Sequence, residues 1–286
     1  GADTNYYGQQ NIMRHAIPMK SISEAIYLIN RVLQNFEDAL SESNVKEKEG
    51  RMSMVVVGGG PTGVEISGTI AEMRKIILPK DYPELDFENM KIYLFQSSNG
   101  VLPGMSEQAA EKGKDYLEAL GVQLRLGERV IDFDGKNVTT NKGETIRANN
   151  LVWAAGVKSN KISGMADISY AKNGRLLVNE INKVEGYDTI FAIGDIAQIS
   201  SEAFPNGHPM VAQPAIQQGK LLAENLYQLI KGESTQPFKY KDLGSMATIG
   251  RHLVVVDLPF WRFQGTFAWY VWMGVHLLSI LGIKNK

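Results

Sequence analysis

Cysteine is missing altogether from the 286 residues. Disulfide scaffolds, thiolate metal sites and a dithiol redox centre within this chain are thereby excluded, and no metal site is assigned. Net charge is almost as sparse. The 30 Lys and Arg against 31 Asp and Glu leave −1, so no global field draws the protein to nucleic acid. The start, GADTNYYGQQ, has neither a basic region nor an apolar stretch, and no signal peptide is visible. It also lacks an initiator Met, so the chain is expected to be a fragment missing residues before Gly1. No internal repeat and no low-complexity tract is found. What remains is 44% hydrophobic and 21% charged, a globular composition in a chain long enough for two domains.

Residues 21–40, SISEAIYLINRVLQNFEDAL, set Ile22, Ala25, Ile26, Ile29, Val32, Leu33 and Phe36 at spacings of three and four, the mark of an amphipathic helix. Ser21 with Glu24 three residues on forms a capping box at its start. The charged stretch ESNVKEKEGR (42–51) breaks the apolar pattern and reads as a linker and domain boundary. Beyond it, residues 52–57 are apolar without alternation, as in a parallel strand buried on both faces, and TGVEISGTIAEMRKIIL continues at helical spacing. KIYLFQ (91–96) reads as a second strand, SEQAAEKGKDYLEALG (106–121) as a helix with a glycine stop, and LVWAAGV (151–157) as a further buried strand. Between the last two, VQLRLGERVIDFDG and KNVTTNKGETIRA alternate as antiparallel strands do. TIFAIGDIAQIS is expected as a strand entering a Gly-Asp turn, and a helix from about Ala215 to Ile230.

Strand, glycine turn, helix, strand is the order of a right-handed βαβ unit. In VVVGGGPTGVE (55–65), Gly58, Gly60 and Gly63 occupy the three fingerprint positions. The first permits the tight turn, the second lets a pyrophosphate approach the backbone, and the third lets helix and strand pack closely. Pro61 and Thr62 open the helix whose N-terminal N–H groups favour the anion. The fingerprint expects an acid roughly 20 residues further on to hold a ribose. Glu84 and Asp86 precede the next strand, and that strand ends at Gln96, 33 residues past Gly63. An amide hydrogen-bonds a hydroxyl but does not repel a 2′-phosphate, so NADH is the expected donor and NADPH is left open.

Together with the Gly194-Asp195 turn and LVWAAGV, the fingerprint resembles the two-dinucleotide-binding flavoprotein reductases. By itself the turn reads equally as an Asx hydrogen bond. AQPAIQQG (212–219) and GSMATIGRHLVVVDL (244–258) narrow the resemblance to the type II NADH:quinone oxidoreductases. That resemblance implies an α/β fold, with a Rossmann-like NAD(H) domain inserted in a partial FAD-binding domain and followed by a membrane-associated C-terminal segment. It divides the chain into 1–45 (remainder of the FAD domain), 46–158 (NAD(H) domain), 159–245 (FAD domain, second part) and 246–286 (quinone- and membrane-proximal segment). It gives Asp195 the ribityl chain of FAD, with Gly194, Ala155, Gly156 and Ala215 also against the cofactors, and sets Gln213 and Gln217 beside the isoalloxazine and a quinone. It gives Glu65 a part in proton transfer, for which a desolvated carboxylate with a raised pKa is suited. The alternative for Glu65 is a carboxylate stabilising a positive helix end.

From Phe263 to Ile283, 21 residues lack Asp, Glu, Lys and Arg, a transmembrane candidate by length. The resemblance favours monotopic attachment to the cytoplasmic face of a membrane. The implied partners are a quinone and the membrane surface, no nucleic acid, and a second copy left open. The competing readings are another FAD/NAD(P)H reductase of this fold, or a nucleotide-binding module without turnover.

Overall fold

The computed structural model describes residues 1–281, so Ile283, the expected end of the apolar segment, lies outside the described residues. Contacts divide the chain into two compact units, one of Gly1–Asn5 with Val157–Leu243 and the other of Tyr6–Gly156 with Gly244–Lys286. The chain opens with strand β1 (Ala2–Thr4), helix α1 (Gln10–His15), strand β2 (Ile17–Pro18) and helix α2 (Ile22–Ser41). Helix α2 carries the expected capping box, the Ser21 hydroxyl accepting from the Glu24 N–H and the Glu24 carboxylate from the Ser21 N–H. The stretch expected as a linker is instead helix α3 (Val45–Met52), because Asn44 caps it by accepting from the N–H groups of Lys46 and Glu47.

Strand β3 (Met54–Val57) is buried at every residue, and helix α4 (Pro61–Ile76) follows, with the short α5 (Leu78–Asp81) behind it. Strand β4 (Ile92–Gln96), helix α6 (Glu107–Ala119) and strand β5 (Gln123–Leu126) complete the wound part, before the antiparallel β6 (Val130–Phe133), β7 (Asn137–Thr140) and β8 (Thr145–Arg147) and the buried β9 (Asn150–Trp153). The main sheet has the order β2-β9-β3-β4-β5 and is parallel throughout. QLRL is therefore parallel, not antiparallel as its alternation suggests: α6 covers one of its faces and returns the chain in the same sense. Ile17 pairs with Val152, and Leu28, Val32 and Phe36 of α2 lie in the same core as Met54, Val56 and Leu94. The boundary expected at residue 45 thus falls inside a compact unit.

In the other unit β1 pairs antiparallel with β10 (Val157–Ser159). A loop-rich body follows, with β11 (Leu176–Leu177) parallel to β12 (Ala197–Gln198) and helix α7 (Ala212–Lys231), which starts three residues earlier than its periodicity suggests. Segment 189–193 makes a single isolated bridge, Phe191 with Lys183, rather than the expected strand, and Gly194–Ile196 is a turn of 3-10 helix.

The last elements belong to the larger unit: the antiparallel β13 (Ser245–Gly250), β14 (Leu253–Asp257) and β15 (Arg262–Gln264), and helix α8 (Thr266–Leu281). Among the described residues no helix is long and apolar enough to cross a membrane. Helix α4 packs directly on β13. A Cβ on Gly68 would lie 1.5 Å from the Ile249 carbonyl oxygen, and one turn on, Glu72 accepts from the Arg251 N–H at 2.7 Å.

Mid-helix, alanine is normally better than glycine by about 1 kcal/mol. Here the backbone contact reverses the sign: Gly68→Ala should lower stability by about 2 kcal/mol or more, read as a fall of several degrees in a thermal melt. An unchanged or higher melting temperature would refute the close packing.

Candidate functional site

The glycine turn joins β3 to α4. Gly58 has φ +110°, and a Cβ there would meet the Ala154 carbonyl oxygen at 2.4 Å. A Cβ on Gly63 would come within 1.8 Å of the Gly58 carbonyl oxygen. Both positions are glycine because the protein's own backbone leaves no alternative. Gly60 differs. It caps α4 with φ −72° and ψ 178°, a conformation open to any residue, and a Cβ on it would have nothing within 4 Å. Its missing side chain leaves space that the protein itself does not fill. Pro61 follows at the first helical position, where its lack of an N–H costs nothing, and Thr62 completes the first turn.

A cleft of about 420 Å³ opens beside this turn, lined by Gly58, Gln96, Ser97, Glu128, Arg129, Trp153, Ala155 and Tyr7, among others. It lies beyond the carboxyl ends of β3, β4, β5 and β9, where parallel α/β sheets bind ligands. The Gln96 side chain is already engaged: its Oε1 accepts from the Gly59 N–H at 2.9 Å and its Nε2 donates to Ser98 Oγ at 2.7 Å. Gln96 therefore braces the turn, and its engaged amide faces competition for any ribose. The Ala155 carbonyl accepts from the Tyr7 hydroxyl at 3.0 Å. Gly156, with φ +142°, lies against the same hydroxyl, which a Cβ would approach to 2.7 Å.

Tyr7, Glu128 and Arg129 were not anticipated. Reading β5 as antiparallel hides the last two, because only the end of a parallel strand directs its following loop into the cleft. Glu128 is buried, pairs through Oε2 with Lys142 at 3.3 Å, and leaves Oε1 unpartnered. Burial pushes its pKa up, but bonds from Thr140 and Lys142 outweigh this and leave it lowered.

Glu65 lies in the second turn of α4, on the side facing β13. Its Oε1 accepts from both the N–H and the hydroxyl of Thr248, each at 3.3 Å. Its stem lines an apolar groove of about 250 Å³ with Met19, Leu28, Val32, Ile66 and Met73. Burial raises its pKa; the Thr248 bonds and the charge of His276 pull the other way without overcoming burial. A carboxyl whose proton affinity is raised by burial is better suited than a solvated one to accepting and releasing a proton. Thr248 lies within the GSMATIGRHLVVVDL stretch, but nothing in the sequence singles it out from its neighbours.

The other unit holds the remaining candidates. Gly194, with φ +68°, abuts Ala215, whose Cβ a side chain on Gly194 would meet at 3.1 Å, and its N–H donates to Gln218 Oε1 at 2.7 Å. The turn carrying Asp195 is thereby fixed to the first turn of α7. Burial lowers the pKa of Arg175, and the charge of Asp195 opposes that. Gln217 bonds the backbone of Lys241 at both ends of its amide, donating to the carbonyl at 2.8 Å and accepting from the N–H at 3.0 Å. It therefore ties α7 to the stretch before residue 243. Gln213, one turn earlier, shares its helix face and carries no such tie.

The model of the pyridine nucleotide-disulphide oxidoreductase family matches residues 28–219, and that of the NDH2 C-terminal domain matches residues 243–286. The type II NADH:quinone oxidoreductase Ndh of Mycobacterium tuberculosis is 32% identical over 297 residues, covering 100% of this chain and 63% of the relative. A type II NADH:quinone oxidoreductase of Staphylococcus aureus is 28% identical over 250 residues, covering 86% of this chain and 61% of its own length. The chain thus spans less than two thirds of these relatives. Among solved structures, NDH2 from Plasmodium falciparum in complex with NADH superposes with a TM-score of 0.88 at 22% identity, covering 98% of this chain and 72% of that one. That likeness places the fold.

Because the folded protein raises the Glu65 pKa above its unfolded value, the protonated group favours folding. That contribution is complete below the unfolded value of about 4.5 and disappears as pH rises through the folded one. Glu65→Gln should therefore melt higher than the parent at neutral pH, with the gain shrinking toward pH 4. A difference independent of pH from 4 to 8 would contradict the burial.

Proposed function

We propose, on the premise that the chain belongs to the pyridine nucleotide-disulphide oxidoreductase family, that the protein is a type II NADH:quinone oxidoreductase. It takes hydride from NADH and passes two electrons to a membrane quinone without pumping protons. The observation that carries the nucleotide half is Gly60. It is a glycine that neither backbone conformation nor packing requires, at the position where a pyrophosphate must reach the backbone. The quinone half rests on the NDH2 C-terminal domain match and on the similarity to the mycobacterial and staphylococcal enzymes.

Segment 46–158 would then bind the dinucleotide, 159–245 would contribute to FAD binding, and 246–286 would lie nearest quinone and membrane. NADH is the proposed donor; Gln96 offers no charge against a 2′-phosphate, so NADPH remains a substrate to test. The groups that would hold FAD are Asp195 and the first turn of α7 at Ala215. They fit because Gly194 packs on Ala215 and Gln218 anchors its N–H, which fixes the carboxylate-bearing turn. When bound, the flavin supplies the two-electron exchange between nicotinamide and quinone. Gln213 would hydrogen-bond the quinone, Gln217 would hold the helix that presents it, and Glu65 would store and release the proton that accompanies reduction. Access to NADH favours attachment to the cytoplasmic face, and a homodimer is the assembly proposed.

Two outcomes follow for the full-length protein loaded with FAD. Gly60→Ala should leave the melting temperature within about a degree while raising the KM for NADH roughly tenfold or more; an unchanged KM removes the argument from Gly60. Gln213→Ala should slow quinone-dependent reoxidation roughly tenfold while stopped-flow reduction of the flavin by NADH stays intact. If NADH reduces the flavin and no quinone reoxidises it, the reductase stands and the quinone assignment falls.

A further inference from the structure

Strands β14 and β15 are joined by the two-residue loop Pro259-Phe260, closed by bonds from the Leu258 N–H to the Trp261 carbonyl (3.0 Å) and from the Trp261 N–H to the Leu258 carbonyl (3.3 Å). Phe260 at its tip is 100% exposed and Trp261 58%. A Phe side chain presented so fully contributes nothing to this fold. The loop is nevertheless rigidly held. Asp257 at its base pairs with Arg262 at 2.8 Å and accepts from the Ser106 N–H at the cap of α6. Trp261 also packs on Phe263 at 4.4 Å between ring centroids, and Phe263 on Phe267 of α8 at 5.3 Å.

Helix α8 continues this surface. Ala268, Trp269 and Trp272 cover Val254 and Val256, while Tyr270, Leu277 and Leu278 on its other side are exposed. One face of an apolar helix is thus taken by the sheet, while Leu277 and Leu278 on the other stay open to solvent. Three of the four Trp lie between 261 and 272, and the 246–286 segment carries Arg251, Arg262, Lys284 and Lys286 against Asp257 alone, whereas the whole chain has a net charge of −1. Aromatic rings with scattered cations are the composition of a membrane interface, where the rings sit at headgroup depth and the cations meet anionic lipid.

We propose that the Pro259–Trp261 loop is a membrane-inserting finger: Phe260 and Trp261 enter the interface of an anionic bilayer and hold α8 flat against it. The finger rests on the membrane attachment proposed above and specifies how that attachment is made. Its rigidity matters, because a preordered loop loses little conformational freedom on insertion.

The test uses full-length, FAD-loaded protein and vesicles of phosphatidylcholine and phosphatidylglycerol in equal parts. In co-sedimentation, the double variant Phe260→Ser, Trp261→Ser should bind roughly ten- to a hundredfold more weakly, while Ile230→Ser, an equally exposed apolar position on α7, should bind as the parent does. Brominated lipid should quench tryptophan fluorescence of the parent, and Trp261→Phe should remove part of that quenching while retaining binding. Binding of the double variant equal to that of the parent overturns the finger and leaves membrane attachment standing. Failure of the parent to bind vesicles, with quinone turnover retained in detergent, overturns the finger and the attachment but not the enzyme. A change of oligomeric state in the double variant, without a change in vesicle binding, reassigns the loop to a protein interface and likewise overturns the proposal.

Discussion

Two missing methyl groups on one helix set the geometry of the larger unit. Gly63 lets α4 start against the Gly58 carbonyl, and Gly68, on roughly the opposite side of the helix, lets its middle lie on the Ile249 carbonyl. Helix α4 is thereby held between the end of β3 and the face of β13 with no side chain as spacer. Glu65 shares the β13-facing side with Gly68, so its carboxyl is drawn out of water by the same closeness. The raised proton affinity of that group follows from backbone packing and not from a neighbouring anion: burial comes first among its causes, and the bonds from Thr248 only moderate it.

The same seam accounts for a division of the chain that local patterns do not reveal. Residues 244–281 follow the α7 unit in sequence, but β13 meets α4, and Asp257 reaches the cap of α6. These contacts depend on atoms far apart in the chain and have no periodicity to announce them. Much else was legible. The Ser21–Glu24 capping box, the fully buried β3 and β9, and the fingerprint turn are local, and each appears where its residues indicate. The helix at 45–52 was hidden because its stability comes from the single Asn44 cap and from pairing of Glu47 with Arg147 and Lys136, not from an apolar stripe. The direction of β5 is not legible in QLRL, because alternation reports a half-exposed face and carries no information on the sense of its partner.

The candidate residues were legible as chemistry more than as geometry. Gln96 was readable as a neutral substitute for the expected acid, yet its amide is committed to Gly59 and Ser98. Gln217 was readable as half of a glutamine pair, yet both ends of its amide hold Lys241. In each case the motif identifies a polar group, and packing shows that its amide is spent on holding a neighbouring segment. Gly60 is the reverse case: its sequence signal is no stronger than that of Gly58 or Gly63, and only the empty space around it separates a ligand's requirement from the backbone's own.

The pairing of β1 with β10 has a consequence for how the chain assembles. Thr4 lies opposite Val157, and the whole of Tyr6–Gly156 intervenes, so as an open loop the contact would be entropically remote. The inserted fold removes that distance. Tyr6 stacks on Trp153 at 6.0 Å and Tyr7 bonds the Ala155 carbonyl, so once the insert has formed, its two ends emerge side by side. The flanking strands then meet as the arms of an ordinary hairpin whose turn happens to be a folded body. Closure entropy grows only logarithmically with loop length, and a preformed insert removes most of it. With the insert folded, the closure that brings Thr4 to Val157 spans only the few residues that join β1 to Tyr6 and Gly156 to β10.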